Sequence, residues 1–163
     1  MEVPFRFFRG KNIIYLTLVT LHLLGAVIWI GGMLFLGFVL TPVLRGYPPA
    51  ERAVLLSAVG RRFLNIGWTA LGVLLLTGPT LWALRGFQVT PALGIKLILV
   101  ALILYLSILH DFFLGPRLVA HLEQGNQGSE TLRLRRRVAL LARLNVLFAI
   151  VVLVLGLAVS RGF

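Results

Sequence analysis

The chain has 163 residues, 59% of them hydrophobic, and a mean hydropathy of +0.98. A soluble domain holds about 45–50% apolar residues, so the composition excludes an ordinary soluble enzyme and predicts one integral membrane domain over residues 1–163. Sixteen Lys and Arg against five Asp and Glu give a net charge of +11. No basic face separates from the apolar runs, so nucleic acid is not an expected partner and the charge reads as basic loops meeting anionic lipid headgroups. The absence of cysteine removes disulfides, iron–sulfur clusters and thiolate-bound zinc or copper from this chain's chemistry.

Four apolar blocks predict an all-α, four-helix membrane bundle. Arg6, Arg9 and Lys11 precede the first block like the charged region of a signal peptide. The run that follows is too long for a signal core and lacks a small-residue cleavage site, so it reads as a mature span. That span is predicted over about 13–40 and is expected to stop at Thr41-Pro42, because proline disfavours helical backbone in the residue before it. The second span covers about 63–84, with Gly78-Pro79 in its last turns. The third covers about 92–114, opened by Thr90 as N-cap and Pro91 at the first helical position, and closed by Gly115-Pro116. The fourth covers about 138–159, with Arg143 and Asn145 near its start. Residues 41–62, 85–91 and 115–137 are the predicted connections, the last a polar loop with a solvated His121 and the run Arg133, Arg135, Arg136 and Arg137.

Ten of the sixteen basic residues fall in the two long connections together with Arg143. The positive-inside rule then places those connections in the cytoplasm and both termini outside.

Ionisable residues in hydrocarbon are costly and usually face a bundle interior or a functional site. Two of the three histidines, His22 and His110, lie in the predicted spans, as do Lys96 and Asp111. A histidine ligates a metal through one ring nitrogen while the other donates to a carbonyl or carboxylate. Gly25 and Ala26 share a helical face with His22 and leave space beside its ring for a flat macrocycle, which Trp29 would border; the same small residues would equally serve close helix packing. Lys96 and His110 share a face of the third span, fourteen residues or ~21 Å apart, too far for one metal ion. Counted from the outer ends of the two parallel spans, His22 and Lys96 differ in depth by ~7 Å, and His22 and His110 by ~13 Å. His22 paired with Lys96 therefore fits a haem site better than two histidines do, the lysine standing near a propionate or, if neutral, on the metal, with His110 a second possible metal ligand only if the first span tilts strongly or shifts; Lys96 would equally serve by snorkelling to the outer headgroups. Asp111 is expected to pair with Arg117, Arg61 or Arg62, and Trp82 to sit in the interfacial aromatic belt.

The stretch Leu21-His22-Leu23-Leu24-Gly25-Ala26-Val27-Ile28-Trp29-Ile30-Gly31-Gly32-Met33, continuing to Pro42 and Arg45, resembles the first helix of the copper-resistance D (CopD) domain family. Arg61-Arg62-Phe63 leading to Leu76-Thr77-Gly78, then Gly94-Ile95-Lys96-Leu97, then Leu114-Gly115-Pro116-Arg117-Leu118 extend the resemblance through most of the chain. The histidine and tryptophan of span 1 and the lysine of span 3 are also similar to the four-helix protoporphyrinogen oxidase family called HemJ. That likeness implies haem binding, with the functional histidine and lysine falling on His22 and Lys96. The CopD likeness implies copper uptake across the inner (plasma) membrane. Copper(I) prefers soft sulfur ligands, and this chain offers only Met1 and Met33, the latter ~16 Å along the helix from His22.

Three functions are therefore expected in order. The first is a b-type haem protein for electron transfer or porphyrin redox chemistry, with an electron-transfer partner. The second is a copper-handling membrane protein, and the third a non-catalytic membrane subunit that docks a partner through its arginine-rich loop.

Overall fold

A computed structural model describes residues 5–126 and 128–162, and the side chains of 13–48, 51–126 and 128–162. Every described element is helical. Helix α1, Phe5–Leu34, runs through a π-helical turn, Phe35–Leu40, into the turns Thr41–Val43 and Leu44–Gly46. Helix α2 is Pro49–Leu84. Helix α3, Pro91–Ile108, passes through a second π-helical turn, Leu109–Leu114, into α4, Gly115–Glu123. Helix α5 is Ser129–Ser160. These form four segments long and apolar enough to cross a membrane, Ile13–Gly46, Glu51–Leu84, Pro91–Glu123 and Ser129–Ser160. The protein is an all-α, multi-pass membrane bundle.

The segments hold 32 to 34 residues, ~48–51 Å of helix against a hydrocarbon core of ~30 Å. The segments exceed the predicted spans because helix continues through polar residues beyond each apolar run. Most of 41–62 and 115–137 instead continues the helices, so the arginines at 61–62 and 133–137 lie on helix surface. His121, expected in a solvated loop, sits on α4, half-buried, with its Nδ1 3.3 Å from Thr131 Oγ1.

Neither Pro42 nor Pro116 ends its helix. In α-helical register a proline ring collides with the carbonyl four residues back. Each proline stands two residues beyond a π-helical stretch, whose wider turn shifts that carbonyl. The Thr41 N–H bonds the Leu36 carbonyl, and the Thr41 hydroxyl donates to the same oxygen at 2.7 Å. The Gly115 N–H bonds the His110 carbonyl. A Cβ at Gly115 would lie 2.9 Å from that carbonyl oxygen, so the glycine is what lets the turn close. Pro79 sits inside α2, where hydroxyls of Thr77 and Thr80 bond the Val73 and Leu76 carbonyls on either side of the one the proline leaves free. The expected start of α3 holds: the Leu93 N–H donates to Thr90 Oγ1 at 3.3 Å, and Pro91 occupies the first turn.

Helices α1 and α2 pack most closely, as do α3 and α5. Their antiparallel register is visible in paired contacts. Gly25 meets Ala70 and Leu74, and Gly32 meets Phe63. A small core joins the pairs, with Trp29, Ala70, Leu71, Ile103 and Ala149 buried and Met33, Trp68 and Phe148 packed around them. Leu24, Val27, Phe38, Leu76, Ile98 and Val154 are exposed to the surrounding medium. In lipid such residues cost nothing, and helix association rests on close packing and interhelical hydrogen bonds.

Candidate functional site

Two polar layers interrupt the apolar bundle. The first is centred on His22, and all four spans build it. His22 Nδ1 lies 2.8 Å from Thr77 Oγ1, and that hydroxyl lies 2.7 Å from the Val73 carbonyl. A hydroxyl has one hydrogen, and a carbonyl can only accept. Thr77 therefore donates to Val73 and accepts from His22, so Nδ1 carries the imidazole hydrogen. In the neutral ring, Nε2 is left with its lone pair. Thr77 is only 5% exposed, so this relay is fixed inside the α1–α2 contact. A Cβ at Gly78 would lie 3.4 Å from His22 Cε1, so the ring lies close over the glycine.

Lys96 reaches the same layer from α3. A Cβ at Gly156 of α5 would lie 3.4 Å from its Nζ, so the ammonium rests against a notch in α5. It is within coulombic range of both His22 and Arg85. Arg85, at the end of α2, donates to the Val159 carbonyl at 3.0 Å and to the Tyr15 hydroxyl at 2.9 Å. That clasp ties α1, α2 and α5 together and satisfies a carbonyl in the last turn of α5. Glu51, Asp111, Glu123 and Glu130 all belong to the opposite half of the bundle. Among the described residues the His22 layer is thus cationic with no carboxylate to balance it.

Gly25 and Trp29 have other work. A Cβ at Gly25 would lie 3.1 Å from the Ala70 carbonyl oxygen and 3.2 Å from Leu74 Cγ, so on the bundle side its missing side chain is filled by α2 and not left open for a macrocycle. Trp29 is 8% exposed and belongs to the core beneath the site. Ala26 is half-buried one turn from His22.

The second layer lies deeper. Asp111 Oδ2 accepts from the Trp68 indole at 2.9 Å, and Oδ1 is 2.7 Å from His110 Nδ1. Among the described residues the expected pairing of Asp111 with Arg61, Arg62 or Arg117 is not made; its two oxygens are taken by Trp68 and by its own neighbour, His110. The π-helical turn carries both residues. Trp68 stacks at a tilt on Phe112, with ring centroids 5.3 Å apart. Because α2 bonds His22 through Thr77 and Asp111 through Trp68, nine residues apart, the two layers are ~13 Å apart. His22 and His110 therefore do not serve one metal ion, and no three His, Asp or Glu side chains converge among the described residues.

Between α3 and α5, Asn145 Nδ2 donates to Ser107 Oγ at 3.0 Å, and both residues are 5% exposed. The Asn145 side-chain oxygen, Oδ1, has no partner among the described residues. Removing one member of a buried pair costs more than removing both. Ser107→Ala is therefore expected to lower stability by about 1–3 kcal/mol, and the double change Ser107→Ala, Asn145→Leu by less than Ser107→Ala alone, as read by denaturant unfolding in detergent.

The structure brings His22 and Lys96, both singled out in the sequence, toward one layer; sequence reasoning missed Thr77 as the partner of His22 and Trp68 as that of Asp111. The signal for Thr77 was present. It is a hydroxyl in an apolar run beside Gly78-Pro79, at the depth that an antiparallel hairpin sets opposite His22.

The fold and the layers define a four-helix membrane protein with one oriented imidazole and, among the described residues, a basic rim without a carboxylate. The chain belongs to the family described as Domain of unknown function (DUF4149), whose model matches residues 24–127. The match takes in Thr77, Lys96 and His110 and begins two residues after His22. The chain is 34% identical over 100 residues to an "Uncharacterized protein" of Aquifex aeolicus (strain VF5), across 60% of this chain and 68% of that one. No solved structure matches.

Proposed function

We propose that this is a b-type haem protein of the plasma membrane, in which His22 Nε2 would hold the iron and Lys96 and Arg85 would balance the charge of the carboxylates. The observation that carries the reading is the relay from His22 Nδ1 through Thr77 to the Val73 carbonyl. Metal-bound histidines characteristically donate their second ring nitrogen in this way, which fixes both tautomer and ring orientation.

The donor set fits the group. A haem supplies four nitrogens of its own, so one imidazole suffices, whereas a bare copper ion in a cysteine-free layer would need several donors that His22 does not have around it. Lys96 and Arg85, with no carboxylate partner among the described residues, suit a ligand with two carboxylates. Bound haem would supply a one-electron iron couple at this depth. The chain's own part is to orient the imidazole through Thr77, to balance carboxylate charge, and to keep water away with Trp29 and its core neighbours. The similarity to HemJ-type proteins points the same way, with porphyrin redox chemistry or electron transfer to a partner as the activity. Ten basic residues in the long connections and around Arg143 favour a cytoplasmic basic end and external termini.

The test is the absorbance spectrum of the purified protein titrated with haem. The proposal expects a Soret band that saturates at one haem per chain; a spectrum equal to that of free haem in detergent would end it. A companion titration addresses the rim. Lys96→Gln is expected to weaken haem binding and to leave binding of haem dimethyl ester, which has no carboxylates, unchanged.

A further inference from the structure

A groove of ≈ 460 Å³ runs along the outer side of the α1–α2 contact, lined by Leu24, Gly25 and Ile28 from α1 and Asn65, Ile66 and Thr69 among its α2 residues. Its walls are apolar except at Asn65 and Thr69, which lie at the basic end of the bundle. On α2 the lining extends from Asn65 to Val73, ~12 Å, close to the ~15 Å depth of one leaflet's hydrocarbon.

Arg62 completes the arrangement. It precedes Asn65, Ile66 and Thr69 by three, four and seven residues, so it stands on the same helical face, one turn beyond the groove's polar end. It is exposed. Its neighbour Arg61 is turned to the Ser57 hydroxyl. The apolar stretch of α2 begins at Phe63, which sets Arg62 at headgroup level.

We infer that this groove is a binding site for one anionic phospholipid, with an acyl chain along Leu24, Ile28 and Ile66 and the headgroup phosphate on Arg62 and Asn65. The charge decides the class of lipid. A zwitterionic headgroup would bring its own cation to an end of the bundle that already carries ten basic residues. The site is separate from His22, which does not line the groove, so it stands whether or not haem binds.

The test is native mass spectrometry of the full chain released from nanodiscs of equal phosphatidylglycerol and phosphatidylcholine. One phosphatidylglycerol should persist on each chain. Its retention should fall roughly fivefold in Arg62→Gln, recover in Arg62→Lys, and fall in Thr69→Phe, which fills the groove from its exposed side. Arg136→Gln, an equal loss of charge on another helix, should leave it unchanged. Equal retention of phosphatidylcholine would overturn the inference, as would equal losses in Arg62→Gln and Arg136→Gln. A lipid-free dimer would assign the groove to a second copy of the chain.

Discussion

His22→Ala is expected to cost haem affinity more than any other single change in the chain. It removes the donor atom itself, while Thr77→Val removes only the group that aims it. Loss of an outer partner of a metal-bound histidine typically costs 10–100-fold, so Thr77→Val should fall in that range and His22→Ala beyond it. Thr77→Ser keeps the hydroxyl and should bind nearly as well as the native protein. His110→Ala sits ~13 Å away in the second layer and should leave haem affinity unchanged. Isothermal or spectroscopic haem titration of the four variants orders them. Equal affinities for His22→Ala and His110→Ala would place the ligand elsewhere.

The second large effect is structural. Gly25→Leu should lower stability by about 1–3 kcal/mol, the usual cost of overpacking a tight contact. The atom facing the new side chain is the Ala70 carbonyl oxygen, 3.1 Å from where its Cβ would stand, and backbone cannot swing aside. Because the same contact positions Thr77 against His22, haem affinity should fall with it. Gly31→Ala is the matched control. Nothing lies within 4 Å of a Cβ there, so it should be neutral or slightly stabilising through helix propensity. Denaturant unfolding in detergent micelles reads both. If Gly25→Leu is as stable as the native chain, the α1–α2 packing described above is wrong.

The architecture was legible in the sequence because its signal is long-range and redundant. Four apolar runs of bilayer length admit few alternatives. Thr90-Pro91 marked its helix start correctly because an N-cap and a first-turn proline are local devices that need no tertiary context. The ends of the helices were not legible. Pro42 and Gly115-Pro116 looked like stops, since a proline is read against an α-helical register, and the sequence does not announce a π-helical turn that accommodates it. The arginines of 133–137 looked like loop because helix beyond the hydrocarbon has no apolar periodicity to reveal it.

At the site, His22 and Lys96 were visible because a charge in an apolar run is conspicuous and parallel spans let depths be compared. Gly25 was visible but ambiguous, and the structure assigns it to helix packing. The role of Trp68 was hidden, and that of Thr77 was readable only once the α1–α2 hairpin was taken as antiparallel. Each is an ordinary membrane residue until the antiparallel register sets it opposite a titratable partner. The Asn145–Ser107 pair was hidden for the same reason, joining residues thirty-eight positions apart.

The most direct probe is chemical rescue. His22→Gly leaves a hole where the imidazole stood, and free imidazole can enter it. The account predicts that His22→Gly mixed with haem shows no native Soret band, and that added imidazole restores its position and intensity while leaving Thr77 as the outer partner. A Soret band in His22→Gly that matches the native one before imidazole is added would show that the iron is held by some other group.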